Sequence, residues 1–213
     1  MKTLILAVLS SAIFMSACAD PAANKPKAQV SQPAAAAATS AENMPVGTSL
    51  TFGPETSTIG FVGSKVTGKH DGGFKKFHGV IDLVGDKAEA SKVLVNIDMA
   101  SVYADADGLT EHLQTGDFFD VAKFPTASFN STSITPDAAK GVNNFTVTGD
   151  LEMRGVKKFV TFPATITVTP NDVAVKSEFS INRKDFGIVY AGKADDLIRD
   201  DVVLLLDIKA PRK

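Results

Sequence analysis

EHLQTGDFFDVAKFPTASF, residues 111–129, is the one stretch that breaks the pattern of this chain. Before and after it, apolar residues fall at every second position, the period of a half-buried strand. Here Leu109, Leu113, Phe118 and Phe119 are spaced irregularly, and Gly116-Asp117 interrupts them. That spacing suits a short helix followed by a tight loop. Exposing two phenylalanines is unfavourable, since burying one large apolar side chain is worth about 1.5–3 kcal/mol. The expectation is that Phe118 and Phe119 close one end of a β-structure.

Working outward, the segments that alternate are residues 58–67, 73–83, 93–99, 126–134, 145–153, 157–168, 173–181 and 201–209. On the first of these Ile59, Phe61 and Gly63 share a face. On the second Phe77, Gly79, Ile81 and Leu83 do so. Between them His70-Asp71-Gly72-Gly73-Phe74 reads as a hairpin turn. A three-residue loop, Asp71-Gly72-Gly73, aligns the two apolar faces and pairs Phe61 with Leu83, because a one-residue slip would flip a face. Arg154-Gly155 and Pro170-Asn171-Asp172 are the other clear turns.

Eight strands with short connections pair antiparallel with their neighbours. With one consistently apolar face they can close into an all-β, eight-stranded barrel, just wide enough to be filled or to hold one small ligand. A sandwich would explain the same alternation; the order of the strands and the resemblance given below favour the barrel. The inward face is Ile59, Phe61, Phe77, Gly79, Ile81, Val93, Val95, Ile97, Phe129, Val160, Phe162, Phe179, Leu204 and Leu206. Gly63, Gly79 and Gly149 fall on it too. Glycines there suit a cavity better than a filled core, because each leaves room for a chain passing close to the backbone.

Composition narrows the function classes. The chain has 213 residues and a formal charge of −2, which provides no basic surface for nucleic acid. Fourteen Phe against two Tyr and no Trp make an interior without polar aromatic atoms. No nucleophile elbow, phosphate-cradling loop or Cys-x-x-Cys is present, so no catalytic residue and no cofactor is assigned. His70 and His78, placed on one hairpin, are expected about 13 Å apart, too far to share a metal. Asp105, Asp107, Asp117 and Asp120 form an acidic neighbourhood without EF-hand spacing. No metal site is expected.

Residues 1–17 carry Lys2, an apolar run from Leu4 to Met15 and small residues before the lone Cys18, the pattern of a cleaved signal peptide. Ser16-Ala17-Cys18 resembles a bacterial lipobox, so Cys18 is the expected lipidation site. Ala19 in place of Asp slightly favours the outer membrane of a cell envelope, facing the periplasm. Residues 18–46, rich in Ala and Pro, read as a flexible tether, reaching about 30 Å. Residues 47–213 form the domain.

Four motifs carry a resemblance. His112-Leu113, Asp117-Phe118-Phe119-Asp120, Phe124-Pro125 and Phe129 make the first. Gly149-Asp150-Leu151 with Arg154-Gly155-Val156 and Lys158 makes the second. Ile181-Asn182-Arg183 with Asp185-Phe186-Gly187 makes the third, and the apolar run Val202 to Ile208 the last. In this order they resemble the YceI family, lipocalin-like proteins that bind polyisoprenoids. Where many members have Arg-Asp-x before His-Leu, this chain has Leu109-Thr110-Glu111. The resemblance implies a barrel that binds a long isoprenoid or other lipid without catalysis; membrane attachment through Cys18 is expected from the lipobox, and a homodimer is left open. His112, Asp117 and Arg183 are the candidates for a polar mouth. Arg183 with Asp185 suits either an anionic head group or an ion pair that locks a turn. The rival readings are an envelope enzyme or metal carrier built on His112, Asp117 and Arg183, and a structural lipoprotein with a filled core.

Overall fold

Alternation becomes structure in the eight long strands, and the breaks in alternation become the ends of the barrel. The computed structural model describes residues 19–33 and 47–212. The expected signal peptide, Cys18 and the second part of the expected tether lie outside the described residues.

In chain order the strands are β1 (Gln29–Ser31), β2 (Thr48–Phe52), β3 (Thr58–Lys65), β4 (Gly68–Phe74), β5 (Phe77–Val84), β6 (Lys87–Asp98) and β7 (Val102–Ala104). After helix α1 (Asp107–Leu113) come β8 (Thr126–Pro136), β9 (Asn144–Met153), β10 (Val156–Val168), β11 (Asp172–Asn182), a ribbon of β12 (Gly192–Lys193) and β13 (Asp196–Leu197), and β14 (Asp201–Pro211). The main sheet runs β2-β5-β6-β8-β9-β10-β11-β14-β3-β4-β7. It is antiparallel throughout and curls on itself until β2 lies against β14. The result is a lipocalin-like, open-edged barrel whose apolar face points inward.

Two bulges help the sheet curl without turning apolar residues outward. In β8 the register shifts between Ser131 and Ser133. Ala127 and the buried Ile134 therefore share the inward face although one number is odd and the other even. A second shift lies between Asp82 and Val84. The β9–β10 connection is a two-residue hairpin, since Met153 pairs with Val156. Arg154 and Gly155 both have positive φ, 53° and 71°, as the strand twist demands of such a turn.

The expected β3–β5 hairpin is corrected. The chain reverses at Val66-Thr67, with Lys65 opposite Gly68, and Phe61 pairs with Gly72, not Leu83. Asp71, Gly72 and Gly73 are strand residues. Their glycines serve close packing: a Cβ on Gly72 would lie 2.3 Å from the Phe61 ring, and one on Gly73 2.8 Å from the Ile59 carbonyl oxygen. His78 accordingly sits opposite Asn96 and His70 opposite Gly63, on strands that do not pair.

The expected tether is corrected for its first part. Residues 26–31 enter the barrel wall between β10 and β11. The Ala28 N–H donates to the Ser180 carbonyl and the Ser180 N–H to the Pro26 carbonyl, both at 2.8 Å. On the other side Gln29, Val30 and Ser31 pair with Thr161, Val160 and Phe159. The slot exists because β10 and β11 pair with each other only from Thr165 to Val168, and Pro163 has no N–H to continue the ladder. Ala28 is buried in the main core. Ala22 packs with Val62 and Val203 on the outer face, which explains how β14 can be apolar on both sides.

Candidate functional site

Inside the curl is an apolar cavity of about 250 Å³. Its lining recurs along β14 from Val202 to Ile208, six steps or about 20 Å of strand. The space is therefore long and narrow, with a bore suited to one hydrocarbon chain. All the residues expected on the inward face line it except Phe77, Gly79 and Gly149. Phe162 lies between Phe179, stacked at 4.3 Å between centroids, and Phe129, tilted at 5.6 Å.

Gly79 is a correction with a plain cause. Phe52 of β2, a strand the alternation does not reveal, lays its ring over it: a Cβ on Gly79 would fall 2.0 Å from the ring. Gly149 is covered in the same way by Phe129, at 2.7 Å. Phe77 is buried in the core beside the cavity, without lining it. Of the three inward glycines only Gly63 faces open space, with no atom within 4 Å of a Cβ built there.

One end is lidded as the 111–129 stretch leads one to expect. α1 has no side-chain cap at its start; Thr110 instead accepts from the Ala104 N–H at 2.9 Å and ties the helix to β7. Leu113 and Phe118 are buried, and they join Phe119 on the cavity lining. The loop folds back on the helix: the Phe119 N–H reaches the Leu113 carbonyl at 3.1 Å and the Val121 N–H the Gln114 carbonyl at 3.0 Å. Ile188 and Ile198 complete this end.

Arg154 holds the lid, a role that turn reasoning missed. Its Nη2 donates to the Gly116 carbonyl and its Nη1 to the Gly187 carbonyl, each at 2.7 Å. The only sequence signal was its place in the second motif. An arginine at positive φ in a hairpin turn is costly for a non-glycine residue, so the two charge-assisted bonds are the compensation.

The three expected mouth residues do not form one site. His112 Nε2 meets Asp117 Oδ2 at 2.8 Å, both partly exposed. The His112 ring packs edge-on against Phe118 at 5.0 Å and Tyr190 at 5.1 Å. Neither His112 nor Asp117 lines the cavity; together they brace the outside of the lid. Arg183 is 5% exposed and spends its donors on the protein. Nε reaches the Arg199 carbonyl at 3.1 Å, Nη1 the Ile188 carbonyl at 2.8 Å, and Nη2 Asp200 Oδ1 at 3.2 Å. Burial lowers its pKa from the ordinary value, while Asp200 opposes that shift. Arg183 thus ties its turn through Asp200, not Asp185, and it also lines the cavity. His70 pairs with Asp105 at 2.7 Å. That carboxyl lies below its usual range, chiefly through the Asp71 N–H and next through His70. Among the described residues no group of three His, Cys, Asp or Glu is placed to hold a metal ion.

Comparison with known proteins places the fold. The UPF0312 protein of Pseudomonas putida is 35% identical over 137 residues, 62% of this chain and 70% of that protein. The Azotobacter vinelandii UPF0312 protein is 35% identical over 123 residues, 55% of this chain and 62% of that one. The crystal structure of the Campylobacter jejuni YceI protein superposes with a TM-score of 0.59 at 27% identity, covering 67% of this chain and 84% of that one. A polyisoprenoid binding domain from Saccharophagus degradans gives 0.61 at 17% identity, covering 78% of this chain and all of that one, a likeness of fold. The family model of the YceI-like domain matches residues 50–210, from within β2 nearly to the end of β14, and the chain belongs to that family.

Proposed function

We propose that the protein binds a long apolar lipid of the polyisoprenoid class in its cavity, as a carrier or store in the bacterial cell envelope, without catalysis, and is held to a membrane through an acylated Cys18. The observation that carries the binding reading is the elongated apolar cavity of about 250 Å³ beneath a phenylalanine-bearing lid. An apolar cavity of about 150 Å³ takes a six-carbon benzene, roughly 25 Å³ per carbon. At that density the space takes about ten carbons, two isoprene units. A longer chain extends past the lidded end. The ligand class is the one the family implies.

Organic extraction of the purified protein followed by mass spectrometry tests the binding. A co-purifying prenyl lipid supports it. Absence of lipid, together with no uptake of prenyl alcohols of increasing length, refutes it. For the anchor, the motivation is the lone Cys18 after Ser16-Ala17. Two or three acyl chains give stable attachment, so Cys18→Ser moves the protein to the soluble envelope fraction. Unchanged fractionation and no acyl mass on the wild type count against it.

A further inference from the structure

The described chain starts on the flank of the lidded end. Asp20 Oδ2 meets Arg199 Nη1 at 3.5 Å, and its Oδ1 accepts from the Ala22 N–H at 2.9 Å. Arg199 directly follows Ile198, which lines the lidded end of the cavity. One residue, Ala19, separates Cys18 from Asp20, and the two chain steps reach at most about 7 Å. Residues 34–46 follow the docked segment in the chain, so they add no length between Cys18 and Asp20. Lipid attached at Cys18 therefore brings this end of the barrel onto the bilayer, where the expected free tether would let it hang clear.

A second observation lies on the same rim. Val66, Val189 and Leu197 are 49%, 66% and 49% exposed. They crowd around one ribbon. The Val66 N–H donates to the Leu197 carbonyl at 3.2 Å and the Ile198 N–H to the Ala191 carbonyl at 2.9 Å. Arg183 bonds the carbonyls of Ile188 and Ile198, the neighbours of Val189 and Leu197. Single exposed aliphatic residues are ordinary, but a group at one cavity end marks a contact surface. The charges here largely offset one another: Lys65 pairs with Asp196, Arg199 with Asp20, and Arg183 and Lys184 with Asp200. The surface thus suits apolar insertion more than attraction to anionic lipid.

We infer that the lidded end is the membrane-facing end, with Val66, Val189 and Leu197 set into a phospholipid surface and the α1–Phe119 lid held against it. This rests on the Cys18 anchor proposed above. A lipid chain then passes between bilayer and cavity without crossing water.

The chain has no tryptophan, so single tryptophans report depth directly. Leu197→Trp and Val66→Trp probe the rim; Val142→Trp, at the β8–β9 turn, probes the opposite end. The full-length chain is placed in phosphatidylethanolamine–phosphatidylglycerol vesicles containing bromolipid. In a parallel arm, the chain from Cys18 is coupled through that thiol to maleimide-lipid vesicles. The expected result is blue-shifted emission and several-fold stronger bromolipid quenching for both rim tryptophans than for Val142→Trp. Equal quenching at the two ends, or stronger quenching at Val142→Trp, overturns the inference. If the native chain fails to float with vesicles while the coupled arm still quenches at the rim, the anchor reading falls and the orientation stands.

Discussion

Gly63→Leu should fill the cavity and in doing so stabilise the empty protein while weakening lipid binding. Gly63 faces inward with Ile59 and Phe61, lines the cavity, and has no atom within 4 Å of an added Cβ. Its φ is not left-handed, so a side chain brings no backbone strain. At roughly 25 Å³ per carbon, the four leucine carbons occupy about 100 Å³. Removing that much void is worth about 2.4 kcal/mol at roughly 24 cal/mol per Å³. Ordering the leucine side chain takes back about 0.5–1 kcal/mol. A net gain of about 1.5 kcal/mol raises the urea midpoint of delipidated protein by about 0.7 M at a slope of about 2 kcal/mol/M. Ligand loses contact room for four carbons, about 3 kcal/mol at roughly 0.8 per methylene. That weakens binding of a cavity-filling prenyl alcohol on the order of 10²-fold. Urea titration and fluorescence displacement on the same preparations read both effects. Gly79→Leu is the contrast, since its Cβ meets the Phe52 ring at 2.0 Å; overpacking there costs about 1–3 kcal/mol. A destabilised Gly63→Leu, or one that binds prenyl alcohol like the wild type, refutes the reasoning.

Arg154→Ala removes both 2.7 Å bonds to the Gly116 and Gly187 carbonyls. It should cost about 2–4 kcal/mol and speed hydrogen exchange across residues 114–121; unchanged exchange there means Arg154 is not the clamp. Ala28→Asp puts a carboxylate into the main core, and the cheapest relief is for residues 26–31 to leave the slot. Exchange protection at the Ser180 N–H should vanish while β14 stays protected; retained protection at Ser180 contradicts the wall role. The folded pKa values of Asp105, Asp172 and Asp196 are all lowered, led by the Asp71 N–H, the Thr169 hydroxyl and Lys65 respectively. Their stabilisation is present above the unfolded carboxylate value near 3.9 and is lost as pH falls through the lower folded values. Urea midpoints should therefore fall steepest below about pH 4, less so in Asp196→Asn; an equal fall in the variant argues against the Lys65–Asp196 contribution.

Period-two alternation by itself determined the eight long strands and which side of each is apolar, because a side chain's face in a strand depends only on its parity. The break at residues 111–129 likewise foretold a helix and a closing phenylalanine pair, since no strand can hide Leu113, Phe118 and Phe119 together. Partner choice was decided only in three dimensions. Gly72 and Gly73 look like a turn locally, yet Phe61, Ile59 and Tyr103 press on them from other strands. Gly79 and Gly63 are equivalent by parity; only the ring of Phe52 makes one a filled notch and leaves the other open. Residues 19–33 have too few large side chains to signal order. Their order comes from the slot that Pro163 and the diverging β10 and β11 leave in the wall, where unpaired backbone groups await a strand. Arg183 and Arg154 showed only as charges in motifs. Burial turned the first into a lock on carbonyls, and the fold brought Gly116 and Gly187 to the second, contacts between residues far apart in the chain that no local spacing encodes.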